Sequence, residues 1–538
     1  MIWLGWLGRL GWLGGLGWGG TSAIAPVPGP LLVTIPTSNA PLVRRIVLDT
    51  DRPAQLTARW SAEDHEVEVV FDGFSTHHDR ILLGWRPGRT YTLILSLTAL
   101  DGASSEVVRA VVTEPLPRHL PVATLTVPHP ERVAPGHTLL TLRSAGGVVD
   151  PSDLAVVYDE EGWVVWWLRL PDLAQDVREH EGGLLVLAGS DAPWFGTYGW
   201  DGLPGPSFAV GATPGRVSIA TRGGGNLHHD VVPIPDGSGA LVALGRYPLA
   251  VEGWPASYDD PAITTDRIVA ADYVMVLDRD GGVLDEIDIG ALIPIDRIGY
   301  DSLGSTIEGW ADWAHANAVI PDGDQLIVSL RQQDAVIAFD PVLEQVRWIL
   351  GHPDGWPPEL EERLLEPVGP LSWPWHQHAP MLGTDTPGGL RRLVLFDNGN
   401  HQAAPFTDTP PITDPRLLHS RVVAYLIDEA AGTVQQDWSF EHSAVAGGTL
   451  FSGAVGDADW LEGGTVLSTW GFLEADADRT PNPELGLGRY TIRIIELDPS
   501  DLQEVWHLLL ASDRADHPQG WTAYRAERIG VIEGRVID

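Results

Sequence analysis

Apolar and polar residues alternate in short runs along the chain, as in Glu66-Val67-Glu68-Val69-Val70, and turns rich in glycine and proline separate the runs. A period of two places successive side chains on opposite faces of an extended backbone, so each run predicts a short β-strand. Long helical patterns are scarce, and 60 glycines and 43 prolines punctuate the sequence. The expected fold class is all-β. At 538 residues the chain is too long for one small core, so a large repeat-built domain with a smaller accessory domain is expected.

Residues 26–117 predict the accessory domain. Alternation runs in places between Thr37 and Thr113, and Leu83-Gly84-Trp85-Arg86-Pro87-Gly88-Arg89-Thr90-Tyr91-Thr92 sets a Pro-Gly turn before a strand that opens on tyrosine. This motif resembles the immunoglobulin/fibronectin III-like β-sandwich, in which a corner tyrosine ties its strand to the preceding loop. Glu114-Pro115-Leu116-Pro117 then reads as a stiff linker.

Residues 118–538 are repetitive. His229-Asp230-Val231-Val232-Pro233-Ile234-Pro235-Asp236-Gly237 is followed by the apolar run Ala240 to Leu244. His315-Ala316-Asn317-Ala318-Val319-Ile320-Pro321-Asp322-Gly323 is followed by Gln325 to Ser329. Aligned on Pro-Asp-Gly, the two histidines coincide. A second half-unit, a hairpin usually closed by tryptophan, recurs at Val156–Trp166, Val274–Gly282, Val336–Trp348, Val422–Trp438 and Ile492–Trp506. Two half-units make four strands, which is one propeller blade. Inner halves near His137, Gly182, His229, His315, His378 and Val455 predict a six-bladed β-propeller, or seven blades if an insertion hides one unit. The second unit, around Trp194 to Gly211, fits the repeat least well. The closing segment Tyr524–Ile529 is expected to complete the ring with a strand from the start of the domain.

Composition narrows the partners. The 23 tryptophans suit packing between sheets. A net charge of −39 argues against a nucleic-acid partner, whose phosphates it would repel. Lysine is absent, so a buried anion site must draw on arginine, histidine or backbone donors. With no cysteine, disulfides, thiolate catalysis and thiolate metal sites are excluded. Residues 1–25, a Trp-Leu-Gly run with the single charge Arg9 that ends in Ala23-Ile24-Ala25, read as a signal peptide. Export to the periplasm or outside is therefore expected, with a retained membrane anchor as the alternative. No second span is evident, so no stable membrane insertion is expected after signal removal.

Equivalent positions on the innermost strands of a propeller converge near its axis. His229 and His315 are equivalent by alignment, and Gln377-His378-Ala379-Pro380 is placed in the same slot of the next blade. Three histidines from one repeat position predict a shared site. Asp230 and Asp322 are most simply turn-forming residues. His376 and His378 lie two apart on one strand face, but no third ligand stands at an obvious spacing, so no metal is expected.

The stretch Asp312-Trp313-Ala314-His315-Ala316-Asn317, then Ile327 to Val336 with Arg331 and Trp348-Ile349-Leu350-Gly351, resembles the bacterial aryl-sulfate sulfotransferases. So do His228-His229-Asp230, Gln377-His378 with Phe396-Asp397-Asn398-Gly399, and Tyr524-Arg525-Ala526-Glu527-Arg528. The resemblance covers most of residues 120 to 531. It implies an exported enzyme that moves a sulfuryl group from a phenolic sulfate to a phenol by a ping-pong route, with neither a nucleotide donor nor a cofactor. It further implies that His378 is transiently sulfurylated and that His229, His315, Asn317 and Arg331 surround the sulfuryl group. Imidazole is a competent nucleophile, and arginine and amide donors suit sulfate oxygens. A polar residue from a later blade is left open among Ser452, Asp457 and Thr469, as are the identity of the acid–base histidine and a homodimer.

Two other classes stay in view. One is a non-catalytic propeller that binds a protein or glycan. The other is a different propeller enzyme, such as a quinoprotein dehydrogenase or a metal-dependent lactonase.

Overall fold

The structure is a computed structural model that describes residues 24–538 apart from 146–152, 191, 222–224, 443–449, 476–488, 513–518, 534 and 536–538. The expected signal peptide, up to residue 23, lies outside the described residues. No helix among the described residues is long and apolar enough to cross a membrane.

Among the described residues, six sheets follow one another from Val122 to Ile529, each built on a four-stranded antiparallel meander. Their innermost strands are Ala526–Ile529, Ala174–His180, Asn226–Pro233, Ala316–Asp322, His378–Leu382 and Asp457–Trp460. Six apolar clusters fill the gaps between neighbouring sheets in cyclic order. One joins the first and second sheets through Val157, Trp166 and Val186, the next joins the second and third through Phe195, Phe208 and Ala243, and the last returns from the sixth to the first through Ile494, Trp506 and Leu142. Because every sheet buries both faces against a neighbour, its strands read as apolar runs and its tryptophans go inside. Trp166, Trp254, Trp313, Trp470 and Trp506 are almost fully buried. This is a β-propeller.

The ring closes at both ends of the repeat region. Val122–Thr126 pairs with Gln503–Ala511 as an added strand of the sixth sheet, and Ala526–Ile529 pairs with His137–Ser144 as the innermost strand of the first. The closing strand thus sits where the repeat pattern predicted it. The poorly fitting second unit is a four-stranded meander all the same, Ala174–His180, Gly183–Ala188, Trp194–Gly199 and Pro204–Val210. Its first turn is Glu181-Gly182, both at positive φ, which is why a search for Pro-Asp-Gly passes over it.

The N-terminal strands form one continuous six-stranded sheet. The 19-residue strand Arg44–Ala62 pairs through its first half with Ser75–Leu82 and through its second with His65–Val70 and Thr90–Ala99, so the sheet wraps around its own core. Trp60 and Trp85 stack there at 5.1 Å, and the Tyr91 hydroxyl accepts a hydrogen bond from the Arg86 backbone N–H at 3.1 Å, tying strand to preceding loop. The unit is seated on the propeller by Ala40, Val43 and Leu83, which join the cluster between the first and second sheets, and by the buried ion pair Arg86–Asp159 at 2.7 Å.

Candidate active site

His229 lies within the inner strand Asn226–Pro233, His315 just before Ala316–Asp322 and His376 two residues before His378–Leu382. His229, His315 and His376 have φ of 55°, 52° and 54°, a left-handed conformation costly for a residue with a Cβ, and the ladder of each of the three strands shifts register nearby. Three neighbouring sheets thus use one local device to turn an imidazole on or next to an inner strand. This corrects one expectation. The residue in the slot of His229 and His315 is His376, whereas His378 lies two residues further along, in the register of Asn317. Aligning Gln377-His378 on sequence alone cannot represent the irregularity within each inner strand.

His229 and His315 meet directly, with Nε2 to Nε2 at 3.1 Å. The contact belongs to a longer chain. Asp272 Oδ1 lies 3.1 Å from His228 Nε2, His228 Nδ1 lies 2.8 Å from His229 Nδ1, and His315 Nδ1 lies 2.7 Å from Asp312 Oδ2. Gln332 donates to the same Asp312 oxygen at 2.9 Å. The three hydrogen-bonded contacts from His228 to Asp312 take three protons, which three neutral imidazoles supply, and His228 Nε2 is left without a hydrogen-bond partner. Burial holds the His228 and His229 pKa values down, and His315 depresses His229 further.

Across the site, His378 Nδ1 lies 2.6 Å from Asn398 Oδ1. Asn398 Nδ2 donates to the carbonyls of Ser452 at 2.6 Å and Val455 at 2.8 Å, so the amide cannot turn over and Oδ1 must accept. His378 is consequently protonated on Nδ1, and its lone pair is on Nε2. Burial and the Arg331 guanidinium push its pKa well below the usual histidine value, which keeps the ring neutral. The site thus presents a buried, neutral imidazole with a fixed tautomer.

Arg331 leaves the end of the Gln325–Leu330 strand in a short 3₁₀ turn and is buried, donating to the Gly453 carbonyl at 3.2 Å, with Nη1 at 3.9 Å from Asp301. Asn317 donates to the Gln377 carbonyl at 2.7 Å, beside His378, and its own carbonyl accepts from the Tyr524 hydroxyl at 2.7 Å. The Tyr524 ring lies 5.9 Å from that of His229 and 6.3 Å from that of His378, so it bridges the two sides. Of the later-sheet candidates, Ser452 acts here through its carbonyl, Asp457 lies further down the channel, and the Thr469 hydroxyl is buried without a hydrogen-bond partner.

A second cluster adjoins Arg331. His376 is fully buried, with Nδ1 at 2.7 Å from Asp334 Oδ1 and Nε2 at 3.4 Å from Asp301 Oδ2, and His401 Nε2 lies 3.0 Å from Asp301 Oδ1. Burial opposes charge on His376, but Asp334 and Asp301 outweigh it and raise its pKa. Burial likewise favours a protonated Asp301, but His376 and His401 hold its carboxyl far below the usual range.

Further along the same inner strands, residues including Asp176, Arg178, Asp230, Asp457, Asp459, Arg525 and Glu527 line a cavity of about 450 Å³. Asp230 belongs to this network rather than to a turn. It is buried and accepts from Arg178 at 2.7 Å, Arg525 at 2.9 Å and the Val319 backbone N–H at 2.9 Å. A carboxylate shared by two guanidiniums explains its burial better than turn geometry does.

All these side chains from His228 to Arg525 fall within residues 140–525, which match the family described as Arylsulfotransferase (ASST) over well more than half of the chain. The chain belongs to the arylsulfotransferase family. It is similar to the arylsulfate sulfotransferase AssT of Escherichia coli O6:H1, with 26% identity over 271 residues that make up 41% of each protein. It is also similar to AssT of Lelliottia amnigena, with 34% identity over 160 residues, 26% of this chain and 24% of that one. The matches therefore span less than half of either relative. Among solved structures, a Bacteroides caccae protein of unknown function aligns at 11% identity and a TM-score of 0.36 over 73% of this chain and 100% of that one. Hydrazine synthase from Kuenenia stuttgartiensis aligns at 14% and 0.26 over 59% and 61%.

In this arylsulfotransferase chain His229, His315, His378 and Asn317, four of the five residues singled out from sequence, are held directly or through His228 by partners that sequence reasoning left without a role: Asn398, Asp312, Asp272 and Tyr524. Asn398 was within reach, since it directly follows the second strand of its sheet, as Arg331 does in the sheet before. Asp272 carried no such signal, because it sits within the long strand Thr264–Leu277.

Proposed function

We propose that the chain is an aryl-sulfate sulfotransferase that works through two displacements at His378. In the first, the Nε2 lone pair forms an N–S bond while the S–O(aryl) bond breaks, and the electron pair leaves on the phenolate oxygen, which takes a proton from the His229–His315 chain. In the second, an acceptor phenol returns a proton to that chain, its oxygen attacks sulfur, and the N–S bond breaks to restore the lone pair on Nε2. The observation that carries this reading is the fixed Nδ1–H tautomer of His378, which commits Nε2 to nucleophilic duty.

Arg331 and the amide of Asn317 are the proposed clamp for the sulfuryl oxygens. Donors preset where charge spreads contribute roughly 3 to 4 kcal/mol each to the transition state. An arginine clamp matters here more than in most proteins, because a chain of net charge −39 repels an anionic ester and local donors must outweigh that field. We also read residues 1–25 as an export signal, which would place the reaction in the periplasm or outside the cell.

The test is incubation with 4-nitrophenyl sulfate, with and without a second phenol. Nitrophenol release that depends on the acceptor supports transfer, and no release across several phenolic sulfates would overturn it.

A further inference from the structure

We propose that Asp301, His376 and His401 form a binding site for one divalent transition ion of the zinc class, beside the sulfuryl site and separate from its nucleophile. Their candidate ligand atoms all lie within 4.8 Å of one another, and the spacings from Asp301 Oδ2 to His376 Nε2 and from Asp301 Oδ1 to His401 Nε2 are 3.4 and 3.0 Å. Ligands about 2.0–2.2 Å from a tetrahedral zinc ion stand roughly 3.3 Å apart, so these spacings need little adjustment.

An independent observation singles out His376. It is fully buried, yet its Nε2 has no hydrogen-bond partner and points at the Asp301 carboxylate. Its other nitrogen is held by Asp334 at 2.7 Å, the carboxylate–histidine support that fixes the ring orientation of a metal ligand and leaves the opposite lone pair for the ion. An ion bound between Nε2 and the carboxylate takes the place of any proton there, because a ligating imidazole is neutral.

The surroundings suit an ion that comes from solvent. The Asp301 side chain is 37% exposed and His401 is partly exposed, which leaves a way in. Gly299 seats the Asp301 loop on the turn that carries Arg331, since a Cβ at Gly299 would lie 1.7 Å from the Gln332 carbonyl oxygen. Arg331 Nη1, at 3.9 Å, is the competing cation for Asp301, so an ion bound there would release the guanidinium from its only carboxylate ion pair among the described residues. Two imidazoles and one carboxylate favour zinc, cobalt or nickel over calcium or magnesium, which take oxygen ligands. Three protein ligands leave a further position for water.

The full chain, stripped with a chelator and then dialysed against zinc chloride alone, should retain one zinc per chain by elemental analysis and melt at a higher temperature than the stripped protein. Cobalt in place of zinc should give a visible absorption band. Asp301→Asn and His401→Gln should each lose the retained zinc and the thermal shift, whereas Glu504→Gln, in the separate His442–Glu504–His507 cluster, should keep both. Zinc lost on dialysis from the unaltered chain, or retained equally by Asp301→Asn and His401→Gln, would overturn the proposal.

Discussion

Asn398 holds Nδ1 of His378 at 2.6 Å with an amide that two backbone carbonyls prevent from turning over, so one side chain dictates which nitrogen of another carries the lone pair. Replacing Asn398 with leucine removes that dictation while leaving His378 in place. The first half-reaction, read as the burst of nitrophenol from 4-nitrophenyl sulfate, should slow about 10- to 100-fold, the usual scale for loss of an orienting partner, with little change in KM. An unchanged burst would mean that the tautomer is set elsewhere.

Asp312 fixes the far end of the imidazole chain at 2.7 Å from His315. Asp312→Asn can present an N–H to His315 Nδ1 and so place the ring proton on Nε2, where the chain of contacts to His229 must reverse. Proton transfer of this kind contributes on the order of 10²- to 10⁴-fold. The loss in kcat should be largest for donors with a poorly acidic phenol, which need the most help in leaving, and smallest for 4-nitrophenyl sulfate. A loss equal across donors would instead indicate damage to binding.

Glu527 lines the cavity below the site, and burial pushes its pKa up to about 7 from an ordinary 4.5. A carboxyl whose folded pKa is raised adds stability that is whole below the unfolded value and is lost as pH climbs through the folded one. The loss approaches about 3 kcal/mol once both states are ionised. Glu527→Gln abolishes this titration and keeps an oxygen for the Glu179 backbone N–H. Thermal melts should show the variant gaining on the parent between pH 5 and pH 9. Parallel curves would place the titration in another residue.

Strand periodicity and the paired Pro-Asp-Gly units made the repeats legible, because propeller sheets bury both faces and recur at similar spacing. The motif residues His229, His315, His378, Asn317 and Arg331 were legible for the same reason, since each lies on or next to an inner strand or follows the second strand of its sheet. The register of His378 was not, because a left-handed residue precedes it, a ladder irregularity follows it, and one-dimensional alignment cannot represent either. Asp301 and His401 were also invisible. They lie on connecting segments of different sheets, about a hundred residues apart, and neither repeats. Asp230 looked like a turn residue by composition, and only the arrival of Arg178 and Arg525 from two other sheets reveals it as the buried carboxylate of the channel.

The most direct test of the proposed route is the mass of the peptide that carries His378 after the protein meets 4-nitrophenyl sulfate with no acceptor present. The proposal predicts a gain of one sulfuryl group on that peptide, absent from His378→Ala and discharged when phenol is added. Turnover without label at His378, or undiminished turnover in His378→Ala, would contradict it.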